Sequence, residues 1–287
     1  MTNRRGWHDL PEGARLAVER RIGTVLTSES PSAGRSSELS AILTTACDRV
    51  FCKGITADSP SAWMHRNEAV VSPFLPERLA PRLLWEIEVD GWLLLGFEHV
   101  IGRHANLSPD SSDLPLIAEA VVEISRTPAP PKSVAQRPIA AQWKRMVGEQ
   151  NRLAPHVGID PGCAANAELL ASWASRAPEH MLGNRLIHSD LNPLNFLVSD
   201  RARVIDWAWW RTGAAWIDPA YLAIRLIAEG HDPQAAEKWA HQFEGFAEAR
   251  PDAVTAYCAS LVQMWGRKFP NTAPTNAARR WLRHRLV

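Results

Sequence analysis

Residues 186–207, LIHSDLNPLNFLVSDRARVIDW, constrain this 287-residue chain more tightly than any other stretch. The short runs Leu186-Ile187, Phe196–Val198 and Val204-Ile205 have the length and apolar character of strands, and the polar residues between the last two predict a hairpin. A polar loop separates the first two. It carries Asp190 and Asn195, five residues apart, so a short loop can aim both side chains at one point, and Asp206 follows on the far side of the hairpin. Two carboxylates and an amide form an oxygen-donor set. Such a set suits a hard cation such as Mg²⁺, which keeps part of its shell for water or phosphate and needs few protein ligands. Asn195 and Asp206 are the candidate ligands, and Asp190 is placed to accept a proton from a hydroxyl. His188 ends an apolar strand and reads as a core histidine. Asp and Asn are also common turn residues that bond their own backbone; the chemical reading rests on all three standing in register.

The H-x-D-x-x-x-x-N arrangement of His188 to Asn195, followed by Ile205-Asp206-Trp207, resembles the aminoglycoside phosphotransferase and choline kinase family of protein-kinase-like enzymes. The resemblance covers most of the chain. It implies an α+β, bilobal fold: an N-terminal nucleotide-binding lobe over 1–100, an antiparallel sheet with one key helix, and a larger, mainly helical catalytic and substrate-binding lobe over 101–287. It implies transfer of the γ-phosphoryl group of ATP, with GTP possible, to a hydroxyl of a small molecule such as an aminoglycoside-type antibiotic or related metabolite, with Mg²⁺. On this resemblance Asp190 orients the acceptor and Asn195 and Asp206 hold the metal. Lys53, in the strand-like R-V-F-C-K-G-I, contacts the phosphates, and Glu68 pairs with Lys53 from the next helix. Gly34, Ser36 and Ser37 stand where a loop covers the phosphates, although no G-x-G-x-x-G is present. Glu98, His99 and Val100, after Phe97, stand where backbone groups hold the nucleobase. Ser189 occupies a position beside the catalytic Asp where glycine is often found.

Composition narrows the remaining classes. Lys and Arg number 32 and Asp and Glu 31, a formal charge of +1, which argues against a dedicated nucleic-acid binder. A hydrophobic content of 46% supports a sizeable core. No run of about 18 uncharged apolar residues suggests a membrane span or leader, so a cytoplasmic protein is expected. The four cysteines, Cys47, Cys52, Cys163 and Cys258, are scattered without zinc spacing and are expected to be reduced and buried. The oligomeric state is not legible.

The remaining punctuation predicts helices over 11–21, 59–72, 219–229, 233–248 and 252–265, and a hairpin at Asp90-Gly91. Asp218, before Pro219, is expected to cap a helix. Most of the 13 tryptophans are expected in the core, with Trp209-Trp210 the pair that could line a cleft. Glu229, Asp232, Glu237, Glu244 and Glu248 could meet a cationic acceptor. Two rival readings stand beside the kinase: a nucleotide-binding pseudokinase without turnover, and an adaptor using the basic C-terminal helix with Arg279, Arg280, Arg283 and Arg285.

Overall fold

The computed structural model describes residues 5–31, 37–131, 133–134, 138–152 and 167–287. The chain forms two compact units, Met1–Ala105 with Leu194–Trp210, and Asn106–Pro193 with Arg211–Val287. A boundary at residue 100 therefore misses the return of 194–210 to the first unit.

In the first unit, helix α1 (Glu12–Ile22) follows Pro11 and stops at Gly23, whose φ of 88° is open to glycine. Strands β1 (Thr27–Glu29), β2 (Leu39–Thr44) and β3 (Arg49–Thr56) lead to helix α2 (Ala62–Val71), then to β4 (Leu83–Val89), β5 (Trp92–Glu98) and the short β6 (Arg103–His104). The first five strands make one sheet in the order β1-β2-β3-β5-β4, with every neighbouring pair antiparallel. Asp90 (φ 48°) and Gly91 (φ 75°) turn the β4–β5 hairpin; paired positive φ values match the twist of the flanking strands. Leu39, Leu43, Val50, Cys52 and Leu94 of the sheet pack with Trp7, Leu10, Ala14 and Val18.

The second unit begins with α3 (Asp113–Arg126), α4 (Ile139–Asn151), α5 (Ala167–His180) and β7 (Arg185–Ile187). The chain then re-enters the first unit, where β8 (Phe196–Val198) and β9 (Ala202–Val204) join β6 in a three-stranded sheet. Val204 N–H donates to Leu79 O at 2.7 Å. Back in the second unit, β10 (Arg211–Gly213) pairs antiparallel with β7 and is followed by α6 (Ile217–Ala228), α7 (Pro233–Ala240), α8 (Glu244–Ala247), α9 (Pro251–Lys268) and α10 (Ala273–Arg285). Residues Ala253 to Met264 of α9 are buried without interruption, as expected of a helix enclosed by others. Two of its buried polar side chains bond across to α4: Ser260 Oγ accepts from Trp143 Nε1 at 2.8 Å, and Gln263 Nε2 donates to Asn151 Oδ1 at 2.9 Å. Among the described residues no helix is long and apolar enough to cross a membrane.

Several sequence expectations are corrected. The helix expected over 233–248 breaks at Phe243, which is extended (φ −92°, ψ 125°), because a Cβ on Gly245 would lie 2.5 Å from that of Ala215 and the chain approaches on glycine's terms. Cys52 and Cys258 are buried, with both thiols pushed up by burial, Cys52 to about 12, but Cys47 is exposed; Cys163 lies outside the described residues. Two of the four arginines of α10 are engaged within the fold: Arg285 pairs with Glu237, and buried Arg279 donates to Pro270 O at 2.9 Å and Asn276 Oδ1 at 3.0 Å, while Arg280 and Arg283 stay exposed. That withdraws Arg279 and Arg285 from any adaptor surface. It also removes Glu237 from the acidic groups open to a cationic acceptor, and Asp232 caps α7 by accepting from Gln234 N.

Candidate active site

In the first unit, the alternation in β3 turns Val50 and Cys52 to one face of the sheet and Lys53 to the other, with Leu95 of β5 and Ser40 of β2 as its neighbours in register. Lys53 is nevertheless buried, and its ammonium forms an ion pair with the equally buried Glu68 of α2. Its Nζ also donates to Asp206 Oδ1 at 3.4 Å. Burial opposes the charge on Lys53, but Glu68 and Asp206 outweigh it and raise the pKa, so the ammonium stays protonated at ordinary pH. Burial raises Glu68 in turn, opposed by Lys53 and by a hydrogen bond from the Trp207 backbone. The pairing expected of Lys53 with Glu68 is thus present, and Asp206 joins it.

Asn195 and Asp206 stand at the open end of the β8–β9 hairpin. Phe196 pairs with Val204, and Ile205 N–H donates to Asn195 O at 2.9 Å, so the hairpin register fixes both residues at one end. Asp206 holds a left-handed backbone (φ 61°, ψ 57°), uncommon for a residue with a side chain. Its carboxylate is about one-third exposed, whereas Asn195 is buried. Among the described residues no three His, Cys, Asp or Glu side chains gather as a metal cage. One carboxylate and one amide oxygen instead fit a hard cation that takes most of its ligands from elsewhere.

The other nucleotide-side expectations divide. Gly34 and Ser36 lie outside the described residues. Ser37 is described, and its hydroxyl shares a 3.0 Å hydrogen bond with Nε2 of buried His65 on α2, so its partner is a histidine of the same unit. Glu98 donates its N–H to Arg82 O at 2.9 Å, so that amide is already engaged; His99 and Val100 follow the end of β5 and are partly exposed. Burial, then Arg49, lowers the pKa of His99. Trp207 is buried and donates to Val204 O at 3.0 Å. Trp210 is buried as well, donating to Asn67 O at 2.8 Å, which removes it from any cleft; Trp209 instead meets Trp63 edge-on at 5.0 Å.

In the second unit, β7 delivers the chain into His188, Ser189 and Asp190. His188 is fully buried, and its Nδ1 accepts from Asp190 N–H at 3.3 Å, in keeping with a scaffold. Ser189 takes φ 64°, which explains why glycine would suit this place. Asp218 corrects the sequence reading. It lies inside the first turn of α6, and its buried carboxylate accepts from His188 N–H at 2.8 Å and Ser189 N–H at 2.9 Å. It fastens the loop rather than capping its own helix. Burial raises its pKa, opposed by His188 and by those two N–H groups.

One turn along α6, Tyr221 donates its hydroxyl to Asp190 Oδ1 at 2.9 Å, and Arg225 donates to the Tyr221 hydroxyl while lying 4.0 Å from the same oxygen. Sequence reading passed over both residues. The available signal was spacing: Asp218, Tyr221 and Arg225 fall three and four residues apart, which places them on one face of a helix.

The profile of the Phosphotransferase enzyme family matches residues 42–254. No curated protein sequence matches the chain. Among solved structures, a thermostable mutant of aminoglycoside phosphotransferase APH(4)-Ia, in ternary complex with ADP and hygromycin B, superposes with a TM-score of 0.63 at 14% identity, covering 93% of this chain and 97% of that one. An aminoglycoside phosphotransferase from Alicyclobacillus acidocaldarius gives a TM-score of 0.54 at 13% identity, covering 91% and 89%. At such identities the superpositions speak for the shared fold, the mixed sheet-and-helix architecture described above, while the profile spans most of the sequence: the chain belongs to the phosphotransferase enzyme family.

Proposed function

We propose that this protein is a Mg²⁺-dependent kinase that moves the γ-phosphoryl group of ATP, or of GTP, onto a hydroxyl of a small molecule in one in-line step. The observation that carries this reading is the buried Lys53–Glu68 pair with Asp206 at 3.4 Å from the same ammonium. A buried ion pair contributes little net stability compared with apolar packing, so a cation held this firmly beside a half-open carboxylate points to use at a site. In that use Lys53 offsets charge on the nucleotide phosphates and Glu68 holds Lys53 in place. Asn195 and Asp206 would hold the divalent cation, which supplies further charge neutralisation on the phosphate oxygens. Gly34 and Ser36 are assigned to covering the phosphates, and the backbone of Glu98, His99 and Val100 to the nucleobase.

Asp190 orients the acceptor hydroxyl and takes its proton. The acceptor oxygen bonds to the γ-phosphorus as the bond to the bridging oxygen breaks, and that electron pair leaves on the nucleoside diphosphate. Little covalent chemistry falls to the protein, so positioning and charge stabilisation supply the rate. That a protein of this fold binds ADP together with hygromycin B supports a nucleotide and a polyhydroxylated acceptor here. The test is transfer of label from γ-labelled ATP and GTP, with Mg²⁺, to aminoglycosides, other hydroxylated antibiotics, choline and a metabolite extract. Labelled product from the wild type and about 10²–10⁴-fold less from Asp190→Ala is the expected result. Nucleotide binding without transfer to any acceptor would overturn it in favour of a pseudokinase.

A further inference from the structure

We infer that Tyr221 and Arg225 form a relay from α6 that fixes the carboxylate of Asp190 for attack, making both positioning residues for the phosphotransfer; this rests on the function proposed above. Asp190 sits on a loop, and its carboxylate is about one-third exposed. Tyr221 is buried on a regular helix, and its hydroxyl donates to Oδ1 at 2.9 Å. Arg225, one turn further, donates to that hydroxyl and stands 4.0 Å from the carboxylate. The guanidinium is itself held by rings: its carbon lies 4.7 Å from the Tyr221 ring centre and 5.5 Å from that of Trp265, while Tyr221 meets Trp265 edge-on at 5.8 Å. Each member is locked by the next.

The order of donation is fixed by chemistry. Arginine can only donate, so the tyrosine oxygen accepts from it and must turn its own proton toward Asp190. Burial, and then the Asp190 charge, push the Tyr221 pKa up, so the phenol keeps that proton throughout the working range of the protein. Donation from Arg225 polarises the phenol and strengthens its bond to the carboxylate. One oxygen of Asp190 is thereby pinned to a helix, which sets the direction of the other. A carboxylate must hold its hydroxyl partner close to in-line geometry, and small misplacements of such groups cost large factors in rate.

The competing explanation is that Tyr221 merely satisfies a buried hydroxyl. Arg225 satisfies only the acceptor side of that hydroxyl, and the phenol proton goes to Asp190 in either account. The two accounts differ in coupling. If Tyr221 acts through Asp190, Tyr221→Phe should lower kcat roughly 10-fold, the share of a hydrogen bond to a charged group, with KM for Mg-nucleotide within about two-fold. In an Asp190→Ala background the same change should then cost less than about two-fold. Arg225→Met, which keeps the apolar stem against Trp265, should lower kcat more in the wild type than in Tyr221→Phe, where only its direct 4.0 Å approach to Asp190 is left to lose. Full kcat in Tyr221→Phe, or equal losses in both backgrounds, would overturn the relay.

A second readout does not depend on turnover. The chain holds only 2 tyrosines, Tyr221 and Tyr257, so ring-¹³Cζ labelling gives two signals, assigned by the Tyr221→Phe variant. Asp190→Ala should move the Tyr221 signal and leave that of Tyr257 in place. An unmoved Tyr221 signal would refute the contact itself. A signal moved by Asp190→Ala, with a wild type that transfers to no acceptor, would sustain the contact and overturn the phosphotransferase reading instead.

Discussion

His65 gives the structure a measurable acid weakness. It is buried on α2 beside Lys53, and burial first, then that ammonium, push its pKa from 6.5 down to about 3, with Asp206 opposing. A base whose folded pKa is depressed contributes stability that is complete above the unfolded value and is lost as pH falls toward the folded one. Between pH 7 and pH 5 this residue goes from about one-quarter to almost fully protonated in the unfolded chain, while the native state stays neutral. At 1.36 kcal/mol per pH unit the difference amounts to about 2 kcal/mol. Since pH 5 lies well above the folded value, the magnitude is set by the unfolded reference. The perturbation is His65→Gln, which can still hydrogen-bond to Ser37 but does not titrate. Urea unfolding of both proteins at pH 7 and pH 5 gives four free energies, and the contribution of every other group cancels in the comparison. The wild type should lose about 2 kcal/mol more than the variant over that step. A gap between the proteins that is the same at both pH values, within about 0.5 kcal/mol, would refute the reasoning.

Three further outcomes follow from local geometry. Asp218→Asn turns an amide NH₂ toward one of the two N–H groups it now accepts, so urea unfolding should show a loss of about 1–3 kcal/mol, and turnover should fall as the loop loosens; unchanged stability would count against its anchoring role. Ser189→Gly relieves a left-handed backbone at the cost of a freer unfolded chain, for a net gain of up to about 1 kcal/mol in thermal or urea unfolding, while Ser189→Val should destabilise. Gly96→Ala would set a Cβ 2.1 Å from the Trp85 ring in the paired strands and should cost about 1–3 kcal/mol, read by the same assay; neutrality there would mean that β4 and β5 have room the packing denies.

Much of the first unit was readable because its signals are local. The alternation around Lys53, the Asp90-Gly91 turn and the spacing of Glu68 each depend on a few neighbouring residues. The loop and hairpin that carry Asp190, Asn195 and Asp206 were readable for the same reason, since they run continuously in sequence. Asp218 misled because Asp-Pro is a strong helix-start signal, and the helix does begin at Ile217; nothing local reveals that the carboxylate bonds a backbone 30 residues earlier. Tyr221 and Arg225 were hidden by the same distance. Phe243 breaks an otherwise helical pattern to admit Gly245 beside Ala215, a tertiary demand that propensity does not carry.

The return of residues 194–210 to the first unit also orders events at the ribosome. After Ala105 is made, nearly ninety residues of the second unit must be synthesised before β8, β9 and Asp206 exist to complete the first. At about 5–20 residues per second that is a wait of roughly 5–20 s. During it, Lys53 and Glu68 lack their third partner and the Leu79 carbonyl lacks the Val204 amide. The five-stranded sheet is complete by Glu98, but a chain that stops before residue 206 never completes the Lys53–Glu68–Asp206 group.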